Sequence, residues 1–177
     1  MIAELGNYAL ALSLAVSFFL AILPLWGAEK GHPQLMSLAR PMTYGLFFSL
    51  TIAFAALFYL FAVNDFSVQY VVNNSNSSLP LYYRLSAVWG SHEGSLLLWI
   101  WLLTLWGAAV ALFSKHLPQE AVARVLGIMG IISIGFLLFV LFTSNPFTRT
   151  FPDFPVDGRE LNPMLQDVGF IFHPPLL

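Results

Sequence analysis

Four histidines are the side chains in this sequence that could bind a metal through nitrogen or titrate near neutral pH. They are His32, His92, His116 and His173. His173 differs from the others because Pro174 and Pro175 follow it directly, and a residue before proline is held in extended geometry. A histidine fixed in this way at the mouth of a membrane helix could serve as an axial ligand of haem iron. The pattern leaves a second interpretation open, in which His173 is a polar anchor at the membrane interface.

A second group of polar residues stands in the peptide WGSHEGS, which runs from Trp89 through His92 and Glu93. One interpretation is an ordinary helix start, because an acidic side chain is favourable near the positive end of the helix dipole. The other is a polar cluster that supports a cofactor platform, with Trp89 as part of the surface. Trp89 is equally consistent with an interfacial aromatic belt. His32 and His116 lie beside lysines in short joints, where solvated polar residues are expected.

Several kinds of chemistry are excluded by residues that the sequence lacks. Cysteine is absent, which rules out disulfides, a thiolate nucleophile and thiolate-bound metal sites in this chain. The sequence has no carboxylate pair, P-loop, Ser–His–Asp arrangement or HExxH helix, so it offers no machinery for hydrolysis or phosphoryl transfer. The net charge is −2 and no basic run is present, so nucleic acid is not an expected partner.

The elements that position these residues are predicted to be membrane helices. The chain is 58% hydrophobic and 9% charged, whereas soluble domains are about a quarter charged. A bilayer core of about 30 Å requires about 20 apolar residues in a helix. Four segments meet this requirement, at about 8–26, 42–63, 95–113 and 125–142. The predicted fold class is all-α, a polytopic membrane protein. None of the segments contains a strongly ionisable residue, which argues against an ion-coupled transporter.

The distribution of lysine and arginine predicts the orientation of these helices. The two short joints hold Lys30, Arg40, Lys115 and Arg124, whereas the long connections at about 64–94 and 143–172 hold only Arg84, Arg149 and Arg159. By the positive-inside rule, the short joints lie in the cytoplasm. The amino terminus and both long loops are therefore expected on the periplasmic side of a bacterial inner membrane.

Two features concern the loops and the ends of the chain. Leu81, Leu85, Val88 and Trp89 form one apolar stripe after Pro80, which predicts a short helix lying on the membrane surface. The first apolar segment has no preceding lysine or arginine, so we expect it to be retained rather than cleaved as a signal peptide. The final HPPLL is typical of the first turn of a fifth helix, so the sequence is expected to be a piece of a longer protein.

Longer stretches of the sequence resemble one family. ELGNYALALSL, WGSHEGSLLLW, LNPMLQD and HPPLL together are similar to the amino-terminal region of the CcmF/NrfE family of cytochrome c-type biogenesis proteins. The resemblance covers residues 1–177, which would form the amino-terminal transmembrane part of a CcmF-like haem-handling protein. WGSHEGSLLLW and the LNPMLQD…HPPLL pair are far more specific than a lone histidine or a tryptophan-rich helix.

The resemblance implies a function that the residues alone do not. Members of the family receive haem b as a substrate from the haem chaperone CcmE. They work with CcmH to attach the haem covalently to apocytochrome c. The histidine of HPPLL is an axial haem ligand in the family, a role that falls on His173 here.

The remaining ligands would lie in the remainder of CcmF beyond residue 177, so this chain is expected to be part of a haem lyase and inactive alone. Two alternatives stay open. One is an NrfE-type assembly factor for a nitrite reductase cytochrome. The other is a transporter or scaffold module without direct haem ligation.

Overall fold

Four long helices make up most of the chain in the computed structural model, which describes residues 1–150, 152, 154–167, 169 and 171–172. The long helices are α1 (Ile2–Lys30), α3 (Ala39–Ala62), α6 (His92–Phe113) and α7 (Gln119–Phe142). The short helices are α2 (Pro33–Ser37), α4 (Gln69–Asn74) and α5 (Leu81–Ser86), and 3-10 turns occupy Ala87–Trp89 and Pro163–Gln166. The described residues contain no β-strand beyond one isolated bridge, which confirms the predicted all-α class.

The four long helices are apolar and long enough to cross a membrane. The shortest has 22 residues, which corresponds to about 33 Å of helix and exceeds the bilayer core. The prediction of four membrane-spanning helices is confirmed at this level. The observed helices begin before the predicted segments, at residue 2 rather than 8 and at 119 rather than 125. The reason is that backbone hydrogen bonding continues into polar residues that hydropathy alone does not count.

The long helices form a four-membered bundle in which α3 and α7 also contact each other. α1 contacts α3 and α7, and α6 contacts the same two helices from the other side. Gly130 of α7 allows a close approach to α1, because an added Cβ would lie 3.1 Å from the backbone nitrogen of Ala21. Ser13 and Ser49 share a 2.7 Å hydrogen bond between α1 and α3. Small residues and interhelical hydroxyl bonds are the usual means of helix association in lipid, where apolar burial gives little preference.

One end of the bundle carries the two short joints. α1 ends at Lys30 and is followed by Gly31, whose φ of 67° is the left-handed conformation that favours glycine after a helix C-terminus. The joints contact each other: Arg40 Nη2 donates to the Ser114 carbonyl at 2.9 Å, and Gln119 Nε2 donates to the Pro33 carbonyl at 2.9 Å. We call this the joint end of the bundle.

The opposite end carries the two long loops, which are fastened to each other. The Gln69 amide donates to the Thr148 carbonyl at 2.9 Å, and the Thr150 amide donates to the Ser67 carbonyl at 3.0 Å. Arg149 also pairs with Glu4 at 2.6 Å, which ties the loops to the start of α1. We call this the loop end. The predicted periplasmic position of these loops stays a prediction.

The short helix predicted after Pro80 is present as α5 and the 3-10 turn, and it ends at Gly90. Its apolar stripe is not uniformly exposed to one side. Val88 is completely buried in the protein, whereas Leu81 is 50% exposed. The element therefore packs at its carboxyl end against the bundle and projects at its amino end.

Candidate functional site

Three of the four site residues predicted from sequence, Trp89, His92 and Glu93, lie where the first long loop enters α6. Ser91 precedes the helix with extended backbone, φ −143° and ψ 174°, and its side chain caps no backbone amide. Instead, Ser91 Oγ donates to Glu93 Oε2 at 2.8 Å. The start of α6 is thus an unusual N-terminus in which the serine orients a carboxylate rather than the helix backbone.

His92 is the first residue of α6, and its side chain is 65% exposed. Its Nδ1 lies 3.4 Å from Glu93 Oε2 and 3.4 Å from Ser91 Oγ. Both distances are long for hydrogen bonds, so the ring is only weakly held. His92 is therefore an accessible imidazole next to a carboxylate, which could orient the ring.

Glu93 points into a different environment from that of His92. Its side chain is 22% exposed and lines a polar cavity of about 180 Å³. The other residues lining this cavity are Gln69, Tyr70, Asn73, Thr143, Ser144, Asn145 and Thr148. Ser144 Oγ is buried and has no hydrogen-bond partner among the described residues. The cavity is smaller than the roughly 300–1,000 Å³ of pockets for drug-sized ligands. It therefore suits small polar groups, and a porphyrin would have to bind outside it.

Tyr70 of α4 fixes the turn that carries these residues. Its hydroxyl donates to the Val88 carbonyl at 2.9 Å and accepts a hydrogen bond from the Ser91 amide at 3.3 Å. Burial raises the pKa of Tyr70, and the negative charge of Glu93 raises it further. The phenol is therefore a neutral, permanent link between α4 and the start of α6. Sequence reasoning missed Tyr70, because its partners lie 18 and 21 residues away and no local pattern indicates them.

Gly94 is the position in WGSHEGS that permits this packing. A Cβ built on Gly94 would overlap the Val88 carbonyl oxygen and would lie 2.5 Å from the Tyr70 hydroxyl. Since a backbone carbonyl cannot move aside as a flexible side chain can, only glycine fits without displacing the turn. This steric requirement explains the second glycine of the peptide.

Trp89 connects the first long loop to the second. Its indole ring lies edge-on to Phe58, with centroids 6.0 Å apart at 66°, and its Nε1 donates to the Ile171 carbonyl at 3.1 Å. The Tyr83 hydroxyl makes a parallel connection to the Gln166 carbonyl at 2.9 Å. Together these bonds hold Gln166 and Ile171 of the second long loop against α5 and the 3-10 turn.

His173 lies outside the described residues, two positions beyond Ile171. The structure therefore brings together Trp89, His92 and Glu93, and it fixes the chain just before His173. The haem-ligand role of His173 and the supporting roles of the other three stay predictions.

Residues 89–177 match the family described as Cytochrome C assembly protein. The matched region begins at Trp89 and includes the start of α6 and the second long loop. It also contains Glu93 and the residues after α7 that line the polar cavity. The chain belongs to the cytochrome c assembly protein family. The recognised resemblance is thereby confirmed.

Individual relatives agree with this assignment. The cytochrome c-type biogenesis protein CcmF of Haemophilus influenzae is 88% identical over 177 residues, 100% of this chain and 27% of that protein. CcmF of Escherichia coli K12 is 55% identical over the same 100% of the chain and 27% of its own length. NrfE of Haemophilus influenzae is 48% identical over 100% of this chain and 28% of that protein. The chain thus spans about a quarter of the length of the curated relatives it matches.

A solved structure shows the same architecture. The chain named Cytochrome c Heme Lyase CcmF matches 83% of this chain and 25% of its own length, with 31% identity and a TM-score of 0.78. The four-helix arrangement is therefore shared with a solved member of the cytochrome c assembly family.

Proposed function

We propose that this chain takes part in c-type cytochrome biogenesis as the amino-terminal part of a CcmF-type haem lyase. The observation that carries the proposal is the 88% identity to the Haemophilus influenzae CcmF across all 177 residues. The relatives' names and the solved haem lyase of the same fold point to the same process. The activity belongs to the whole protein, and this chain contributes one part of it.

The comparison favours a CcmF role over an NrfE role. The two relatives come from the same organism, and this chain is 88% identical to one and 48% identical to the other. Two proteins that serve different cytochromes in one cell are expected to diverge where they meet their partners. A nitrite reductase assembly role is therefore the weaker alternative.

Within this proposal, His173 binds the iron of haem b, which is the substrate rather than a resident cofactor. The bound haem presents its vinyl groups, and each cysteine S–H of apocytochrome c adds across one vinyl C=C to give a thioether with no leaving group. The contribution of this chain is to hold the imidazole in place. Trp89 supports that role, because its hydrogen bond to Ile171 fixes the backbone two residues before His173.

His92 and Glu93 act as site support in this proposal rather than as ligands. Glu93 faces a cavity too small for haem, and His92 presents an exposed imidazole at the mouth of α6. An exposed imidazole N–H can donate a hydrogen bond to a haem propionate. The other participants are CcmE as haem donor, CcmH and the apocytochrome as acceptor. The location is the bacterial inner membrane, with the loop end in the periplasm.

The decisive experiment changes His173 in the full natural polypeptide that contains these residues. Cells carrying His173→Ala are expected to lose most c-type cytochrome, measured by haem staining, while the protein stays in the membrane at its normal level. His173→Gly leaves space for free imidazole, so added imidazole is expected to restore part of the maturation. His116→Ala is the matched control, because His116 is an exposed histidine at the joint end.

Two outcomes would contradict parts of the proposal. Normal cytochrome levels and an unchanged haem spectrum in His173→Ala would remove the ligand role and leave a scaffold. Complementation of a strain lacking NrfE, but not of a strain lacking CcmF, would favour the nitrite reductase alternative. Residues 1–177 expressed alone are expected to bind no stoichiometric haem, because the second axial ligand is not in this chain.

A further inference from the structure

A second cavity lies at the joint end of the bundle, far from the site described above. Its volume is about 320 Å³, and it opens between α2, the start of α3 and the joint between α6 and α7. It is lined by Met36, Ser37, Arg40, Lys115, Leu117, Gln119 and Val122. None of these seven residues is acidic, whereas two carry positive charge.

The two cations of this cavity are not neutralised by the protein. Arg40 is half-buried, and its Nη2 donates to the Ser114 carbonyl and hydroxyl at 2.9 and 3.5 Å. Its other guanidinium nitrogens, and the ammonium group of Lys115, have no hydrogen-bond or carboxylate partner in the described part of the chain. An anion with several oxygens would satisfy both groups at once.

The carboxylates nearest in sequence to Arg40 and Lys115 interact with a different cation, Arg124. Glu120 accepts from Arg124 at 2.8 Å, and Glu29 lies 3.9 Å from the same guanidinium. Neither lines the cavity. Arg40 and Lys115 are therefore available to bind an anion that is not a carboxylate of the described residues.

The position and walls of the cavity indicate what that anion is. α3 begins and α6 ends beside it, so it lies where membrane helices reach the headgroup region. Its walls combine the hydroxyl of Ser37 with the apolar side chains of Leu117 and Val122, and Leu117 is 47% exposed. Basic pockets between membrane helices bind the headgroups of anionic lipids. A soluble phosphate would match the cations but would gain nothing from the apolar wall.

We propose that this cavity binds the phosphate headgroup of an anionic phospholipid, with Arg40 and Lys115 as the cations that hold it. Arg40 has a second task, because it also bridges to the end of α6. Lys115 is the cleaner position to change, since it is exposed and forms no bond within the described residues. The proposal does not depend on the haem lyase function, because the two sites lie at opposite ends of the bundle.

The test compares lipid retention by the full natural polypeptide in nanodiscs of equal phosphatidylglycerol and phosphatidylcholine content. After transfer to detergent, native mass spectrometry is expected to show retained phosphatidylglycerol in preference to phosphatidylcholine. Lys115→Gln is expected to reduce that preference about fivefold, the effect of one lysine at a lipid surface. Lys30→Gln is the matched control, an exposed lysine at the same end that does not line the cavity.

The other outcomes each oppose the proposal. Equal retention of both lipids by the unchanged protein would exclude a headgroup site. An equal loss of preference in Lys30→Gln and Lys115→Gln would indicate general surface charge rather than this cavity. Displacement of phosphatidylglycerol by millimolar inorganic phosphate, with no dependence on the acyl chains, would identify free phosphate as the ligand instead. Unchanged thermal unfolding of Lys115→Gln confirms that a lost preference does not come from misfolding.

Discussion

Cations at opposite ends of the bundle differ in whether a carboxylate of the protein faces them. At the loop end, Arg149 is paired with Glu4 at 2.6 Å and lies 3.9 Å from Asp65, so this cation is neutralised by the protein itself. At the joint end, Arg40 and Lys115 face a cavity without a carboxylate. The difference follows from loop length. Long loops can fold back and supply partners, as they do for Arg149, whereas the short joints supply no carboxylate to Arg40 and Lys115.

The two ends also differ in the functions that they suit. The loop end is closed by contacts between segments far apart in sequence, which is the requirement for holding side chains in a fixed geometry. The joint end is open and basic, which suits the surface of a membrane. We therefore expect the chemistry to take place at the loop end and lipid headgroups to bind at the joint end.

The largest expected effect comes from a test of how the bundle is oriented in the membrane. A single cysteine is either labelled or protected, so the result is close to all-or-none. The chain contains no cysteine, so single cysteines can be introduced into a cysteine-free form of the protein. Val156→Cys at the loop end is expected to react with a membrane-impermeant maleimide in intact cells, since Val156 is fully exposed. Lys30→Cys at the joint end is expected to react only after the cells are permeabilised. The reverse pattern would invert the assignment of the two ends to the periplasm and the cytoplasm.

The next effect concerns the packing that closes the loop end. Gly94→Ala places a methyl group against the Val88 carbonyl, so we expect a loss of about 3 kcal/mol in unfolding free energy. Gly45→Ala is the matched control, because a Cβ there meets nothing within 4 Å and alanine favours the helix. The measurement is thermal unfolding in detergent. Equal melting temperatures for the two variants would show that the turn at Val88 can move.

Sequence reasoning predicted the long helices well because hydropathy reports directly on the bilayer. It also predicted the short helix after Pro80, where proline, an apolar stripe and a terminal glycine agree. It placed Trp89, His92 and Glu93 near one another because they are adjacent in the chain. Their different environments were not predictable, since the partial burial of Glu93 depends on α4 and on the residues that follow α7.

The contacts made by the two long loops could not be predicted from the sequence for a related reason. Tyr83 and Trp89 each donate to a backbone carbonyl of the second loop, and Tyr70 donates to one within the first loop. Every residue type carries such a carbonyl group. No pattern of side chains can therefore mark the partner. The resemblance to a family supplied the proposed ligand role of His173, which local pattern alone left open between a ligand and an anchor.

A smaller effect is expected when one connection between the long loops is removed. Trp89→Phe keeps the aromatic packing against Phe58 but removes the indole donor to Ile171. The loss of about 1 kcal/mol is typical of one hydrogen bond. We expect faster amide exchange in residues 161–172 and little change in the long helices. Trp99→Phe is the control, because Trp99 is 51% exposed on α6 and has no hydrogen-bond partner among the described residues. Equal exchange in the two variants would show that Trp89 does not position the segment before His173.

The smallest effect is expected at Asp157, an exposed carboxylate that joins the two long loops. Its oxygens accept from the Ser77 amide at 2.9 Å, the Ser77 hydroxyl at 2.6 Å and the Gly158 amide at 2.8 Å. The bonds from Ser77, and then that from Gly158, lower the pKa of Asp157.

Because the folded pKa is the lower one, the stabilising contribution of this carboxylate is complete above its ordinary value of about 3.9 and is lost as the pH falls through the folded value. A spin label at Val156→Cys is therefore expected to be restrained at neutral pH and to become more mobile only in strong acid. Asp157→Ala should make the label mobile at every pH, whereas Glu160→Gln, at an exposed carboxyl with no bond within the described residues, should leave the profile unchanged. Label mobility that responds to neither Asp157→Ala nor acid would mean that this connection does not restrain the loops. Closure of the loop end would then depend on the other contacts, namely the bonds of Tyr83 and Trp89, the backbone bonds between 67–69 and 148–150, and the Arg149–Glu4 pair.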